Sequence, residues 1–238
     1  MKMRMFVFVL LAAVMTWNCS TDDPALQGVG FKLKATTTSS ASNSTGREMS
    51  TAFTFQEAWV GVREVEFEND TEEDGFEVEF KGKYVVDLIT GISTPAFGIS
   101  SIDPGLYNEV EIELGAILEE GNSMFIRFTY QPEGGDPIQV EFSTKDEFEV
   151  EVEYGSGFIM QPDVLLNVLV LLDLDKLFAG VDLSLAQADE DGVIRINDSS
   201  NTDLAQLILS NLEEACEAGL DDDGDDEFDD DDNDDDNG

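Results

Sequence analysis

Apolar and acidic residues change places at nearly every step through the middle of this chain, and a period of two is compatible with strands and little else. Val110, Ile112 and Leu114 alternate with Glu109, Glu111 and Glu113, and Phe148, Val150, Val152 and Tyr154 with Glu147, Glu149, Glu151 and Glu153. Phe76, Val78 and Phe80 repeat the pattern, as do Met124 to Tyr130, Ile138 to Phe142 and, earlier, Val29, Phe31 and Leu33. Between these runs stand Asp74-Gly75, Asp103-Pro104-Gly105 and the stretch Gln131 to Pro137, all turn chemistry.

In Ala58 to Glu68 the apolar phase slips by one residue between Val62 and Val65, which predicts a β-bulge. Leu165 to Leu174 is densely apolar and reads as a strand running into a short helical turn at Asp175 to Phe178. Thr202 to Cys216, capped by Asn201 or Thr202, spaces Leu204, Leu207, Ile208, Leu212 and Ala215 for one helical face. The expectation is an all-β fold, an antiparallel β-sandwich of Ig-like or transthyretin-like type, with one C-terminal amphipathic helix.

Charge bounds the partners. Aspartate and glutamate number 53 against 12 lysines and arginines. Residues 221–238 hold 13 of the acids and the first 18 residues two of the bases, so the body between keeps 40 acids against 10 bases. Phosphate recognition needs a cationic footprint, so nucleic acid is excluded as a partner, and cations are the natural ligands. Solubility in concentrated salt accounts equally well for the acidity of the body. The chain has no histidine, which removes Ser/His/Asp and Cys/His catalysis and the usual zinc and copper sites. Cys216, among Glu213, Glu214 and Glu217, lacks a base to make it a nucleophile.

The N-terminus resembles a bacterial lipoprotein signal. Lys2 and Arg4 precede an apolar run from Met5 to Met15, and Cys19 opens a polar segment that continues with Asp22 and Asp23. Eleven helical residues reach about 16 Å, against a hydrocarbon core of about 30 Å, so the run is a cleaved leader and not a span. Thr16 and Asn18 depart from the usual lipobox, and an ordinary secretory leader is the alternative. The resemblance implies lipidation at Cys19, contact with the membrane through the lipid only, and an outer-membrane, surface-exposed location. The organisation that follows is a signal peptide over 1–18, a tether over 19–28, a sandwich with its helix over 29–216, and a disordered acidic tail over 217–238.

Three further segments, Ala58-Trp59-Val60-Gly61-Val62-Arg63-Glu64-Val65, Tyr84-Val85-Val86-Asp87-Leu88 and Ile102 to Val110, resemble a family of β-sandwich domains of unknown function in surface lipoproteins of the Bacteroidota. The resemblance covers residues 29–115. It implies a sandwich and an envelope location, and brings no catalytic residues with it.

The sharpest chemical signal is the aspartate-rich C-terminus, which resembles the calcium repeats of thrombospondin type 3 and dockerin-like modules. Asp221, Asp223, Asp225, Asp229 and Asp231 are candidate ligands, since calcium takes six to eight oxygens and a glycine such as Gly224 turns the backbone to let them converge. An EF-type loop begun at Asn233 lacks its closing glutamate, and a solvated polyanion is the alternative. Asp189 and Asp191, before Gly192, form a second candidate that reads equally as a plain turn. Glu109, Glu111 and Glu113 stand about 7 Å apart on one strand face, within the range of a hydrolase's carboxylate pair, yet every such strand produces that spacing. Trp59 and Tyr107 are read as packing residues before sugar-stacking ones. The functional expectation is a non-catalytic binding or structural sandwich on the envelope, binding calcium through the C-terminus and a glycan or envelope protein through its loops. A polysaccharide hydrolase is the alternative.

Overall fold

A computed structural model describes residues 28–37, 53–68, 78–101, 103–132, 134–162 and 164–229. Cys19 with the residues before it, the pair Asp74-Gly75 and Asp231 lie outside these residues. The strands are β1 (Gly28–Thr36), β2 (Phe53–Glu68), β3 (Val78–Asp87), β4 (Ile92–Thr94), β5 (Ile99–Ser100), β6 (Gly105–Leu114), β7 (Met124–Tyr130), β8 (Ile138–Thr144), β9 (Phe148–Met160), β10 (Leu165–Asp173), β11 (Ile194–Ile196) and β12 (Cys216–Leu220). Two helices interrupt them, α1 (Leu174–Leu177) after β10 and α2 (Thr202–Ser210) before β12.

The strands form an all-β, sandwich-like fold of two sheets. The smaller runs β12-β10-β1-β5 and the larger β11-β8-β7-β2-β3-β4, with β6 and then β9 added beside β2. The 16-residue β2 makes this branching possible: Phe53 to Val60 pair with β7, and Val62 to Glu68 pair with β6. The changeover falls at the expected bulge, between Val62 and Glu64. It keeps Ala58, Val60 and Val62 buried before the slip and Val65 and Phe67 buried after it. Most pairs are antiparallel, but β1 lies parallel to β10 and β8 to β11. Alternation sets which face of a strand is buried and not its direction, and these partners are too distant in sequence for a hairpin to fix it.

The core between the sheets joins Val29, Phe31 and Leu33 of β1 and Val168, Val170 and Leu172 of β10 to the inward residues of β2, β6, β7 and β8. Each such fully buried side chain contributes about 1.5–3 kcal/mol of transfer free energy. Asp173 caps α1 by accepting from the N–H groups of Asp175 (2.8 Å) and Lys176 (3.2 Å). Phe178 then closes one end of the core, its ring 4.8 Å from that of Phe128.

Two expectations at the C-terminus are corrected. The helix does not run to Cys216: α2 ends at Ser210, and Leu212 and Ala215 are buried from the turn that follows. Nor do residues 217–229 form a tail. Cys216 to Leu220 pair antiparallel with Leu172 to Val168 of β10, and the chain stays docked on the sandwich through Asp229.

Candidate metal centre

The last described residues build a loop on the rim of the smaller sheet. Asp221 follows β12 directly, and its N–H donates to the Asn167 carbonyl of β10 at 3.0 Å. The loop returns where the Asp229 N–H donates to the Leu220 carbonyl (3.0 Å) and the Asp229 carboxylate accepts from the Asp222 N–H (2.8 Å). Phe228 packs against Gly219, where an added Cβ would sit 2.3 Å from its ring. Glycine at 219 is therefore what lets the ring seat on the strand. From the far side, Asp226 receives Lys34 of β1 at 2.7 Å and Lys32 as a second ion pair. The loop is thus held across β12, β10 and β1.

Within this frame Asp221, Asp223 and Asp225 converge, each bringing a carboxylate oxygen within 4.8 Å of the other two. The turn chemistry explains why. Asp221 accepts from the Gly224 N–H (2.8 Å), Asp223 from Asp225 N–H (3.2 Å) and Asp225 from Glu227 N–H (3.0 Å), so each side chain folds back over its own turn. Gly224 and Asp226 take left-handed conformations, φ 75° and 67°, that reverse the backbone between them. Asp221 is only 5 % exposed, an unusual position for an aspartate in an acidic protein. Asp222 titrates above the usual aspartate range because of burial first, and then because Asp229, Asp221 and Asp223 face it. Asp226 titrates below it, held down by its hydrogen bonds with Lys32 and Lys34.

Of the five aspartates proposed as ligands, the structure brings together Asp221, Asp223 and Asp225, gives Asp229 the neck of the loop, and leaves Asp231 outside the described residues. Counted from Asp221, the carboxylates fall at places one, three and five of an EF-type loop, with the Glu227 carbonyl at seven. That register is hidden in sequence because place six, where glycine makes the sharp turn, is Asp226. The D-x-D-x-D spacing was the signal that could have found it.

The second candidate does not gather carboxylates around an open centre. Asp189 and Asp191 both hold Arg195, at 2.7 and 2.8 Å, and Gly192 turns the chain at φ 82°. The Arg195 hydrogen bond, with that of the Val193 N–H, keeps Asp191 below the usual carboxylate range. The strand glutamates lie directly opposite one another. Glu66, Glu111 and Glu151 form one cross-strand rung, Glu68, Glu109 and Glu153 another, Glu64, Glu113 and Glu149 a third. Lys81 bridges Glu64 and Glu79, and Arg63 bridges Glu113 and Glu147. Glu111 titrates above the usual range through partial burial, then through repulsion by Glu149, Glu68, Glu151 and Glu109. Tyr107 is fully buried, stacked on Phe158 at 5.5 Å with its hydroxyl donating to the Asp103 carbonyl (3.0 Å). Cys216 begins β12, and burial pushes its thiol up to about 12.

No protein-family model, curated protein or solved structure matches this chain.

Proposed function

We propose that this chain is a lipid-anchored protein of the cell envelope, displayed on the outer membrane, in which a non-catalytic β-sandwich carries a calcium-binding loop over Asp221 to Asp229. The observation that supports the cation reading is the convergence of Asp221, Asp223 and Asp225 within 4.8 Å of one another on a loop clamped to the sheet, with Asp221 buried. Three carboxylates held so close repel one another, and a hard divalent cation with oxygen ligands relieves that repulsion. Anchoring rests on Lys2, Arg4, the apolar run and Cys19.

Thermal melting at about 0.15 M salt tests the cation reading, since at that ionic strength diffuse attraction is screened beyond about 8 Å. Millimolar calcium raises the Tm of the intact protein by several degrees, and the rise is absent in Asp221→Asn. A rise reproduced by sodium chloride of matched ionic strength contradicts a specific site. Cys19→Ala removes acyl labelling and releases the protein from the membrane fraction; retention of both contradicts the anchor.

A further inference from the structure

The outward face of β2 and β7 carries a cleft that none of the acidic features explains. Trp59 and Phe125 sit directly opposite each other in the β2–β7 register, on the face away from the buried Ala58 and Val60. One step along, Glu57, Arg127, Glu141 and Arg195 form a continuous row across β2, β7, β8 and β11. Arg127 bonds Glu57 at 2.6 Å and Glu141 at 3.1 Å, and Arg195 reaches Glu141 at 3.3 Å. The Arg127 guanidinium also lies over the Phe125 ring, 5.2 Å from its centre.

The segment 115–122 walls the other side. It docks on β2 because residue 61 is glycine: a Cβ there would lie 2.6 Å from the Gly115 carbonyl oxygen and 2.9 Å from Ile117. The Gly115 N–H donates to the Gly61 carbonyl (2.9 Å), and the Gly61 N–H donates to that of Ser123 (2.8 Å). This fold of the chain sets Asn122 in the cleft wall at 8 % exposure. The Asn122 side-chain amide and the Trp59 indole N–H carry no buried, unpartnered atom, and both residues line the cleft. An amide in the wall of a cavity of about 710 Å³, beside an indole and two arginines, offers a donor and an acceptor to a ligand there.

We infer that this cleft, between Trp59 and Phe125 on the sheet and Asn122 on the segment 115–122, is a binding site for a neutral glycan. An indole platform accepts the C–H face of a pyranose, while the amide, guanidinium and carboxylate groups around it offer the mixed donors and acceptors that hydroxyls require. Acids outnumber bases in the lining, Glu57, Glu119, Glu120 and Glu141 against Arg127 and Arg195, which disfavours anionic sugars. A cationic ligand fits less well, because Glu57 and Glu141 already hold arginines.

The sequence has two tryptophans, so in the full chain with Trp17→Phe the fluorescence reports on Trp59 alone. The probes are neutral gluco-, xylo-, manno- and galacto-oligosaccharides, with alginate oligomers and a lysine-rich peptide beside them. At least one neutral oligosaccharide is expected to shift the emission saturably. Asn122→Ala weakens that binding roughly tenfold or more with unchanged melting, and Trp59→Ala, followed by calorimetry, abolishes it. Silence from every neutral oligosaccharide, binding by only the alginate or the peptide, or glycan affinity indifferent to both substitutions overturns the inference.

Discussion

Asp226 differs from its neighbours in the C-terminal loop in lying between two ammonium groups, Lys32 and Lys34, on a sheet otherwise poor in bases. Its carboxyl titrates below the ordinary aspartate value of 3.8, so the folded state binds its proton less readily than the unfolded chain does. The stability it contributes is complete above that value and is lost as pH falls through the folded-state pKa. Since these side chains are partly exposed, Asp226→Asn costs about 1 kcal/mol at pH 7. Urea unfolding of wild type and variant checks this: the difference present at pH 7 shrinks as pH falls below 3.8. At the same scale, Trp59 shows how much a single residue's role was legible. Alternation with the buried Ala58 and Val60 already turns it to the opposite face of β2, where it is half-buried. The Asn122 wall opposite it was not legible, because that wall depends on a backbone contact at Gly61 that no periodicity encodes.

At the scale of elements, the glutamate rungs across β2, β6 and β9 are a cost built into the larger sheet, since like charges directly opposite destabilise a strand pair by a few tenths to about 1 kcal/mol. Glu111 sits in the middle rung and titrates above the usual range. The sign is opposite to that of Asp226: the folded state holds this proton more tightly, so stability falls as pH rises from the ordinary value of 4.5 through the raised one. Glu111→Gln is therefore expected to raise the Tm at pH 7 and to bring no gain at pH 4, read by thermal melting at both. These strands were legible because every second residue had to be apolar to reach the core. β12 was not. Cys216-Glu217-Ala218-Gly219-Leu220 has weak strand propensity, and it forms because β10 offers an open edge and Phe228 can seat on Gly219. The helix before it was read too long for a related reason: Leu212 and Ala215 are buried by a turn that happens to preserve helical spacing.

For the whole molecule, a formal charge of −41 sets the conditions under which every local feature works. The sandwich itself follows from turn chemistry and alternation, whereas the two parallel pairings depend on which distant strands meet and leave no local mark. Net repulsion predicts that added salt stabilises the protein broadly, and that calcium does so beyond ionic strength only through a site that gathers carboxylates. The described chain gathers them at Glu64, Glu66 and Glu79, at Glu66, Glu68 and Glu111, and at Asp221, Asp223 and Asp225, and of these the aspartate loop is the group with a buried member. Titration calorimetry with calcium at about 0.15 M salt, on the intact protein and on Asp221→Asn with Asp225→Asn, tests this most directly. The expected result is saturable binding to the intact protein, with a Kd at or below the 10⁻⁴ to about 10⁻³ M of extracellular calcium modules, and its loss in the double variant. Weak heat that never saturates, or binding equal in both proteins, would contradict a calcium site in the loop.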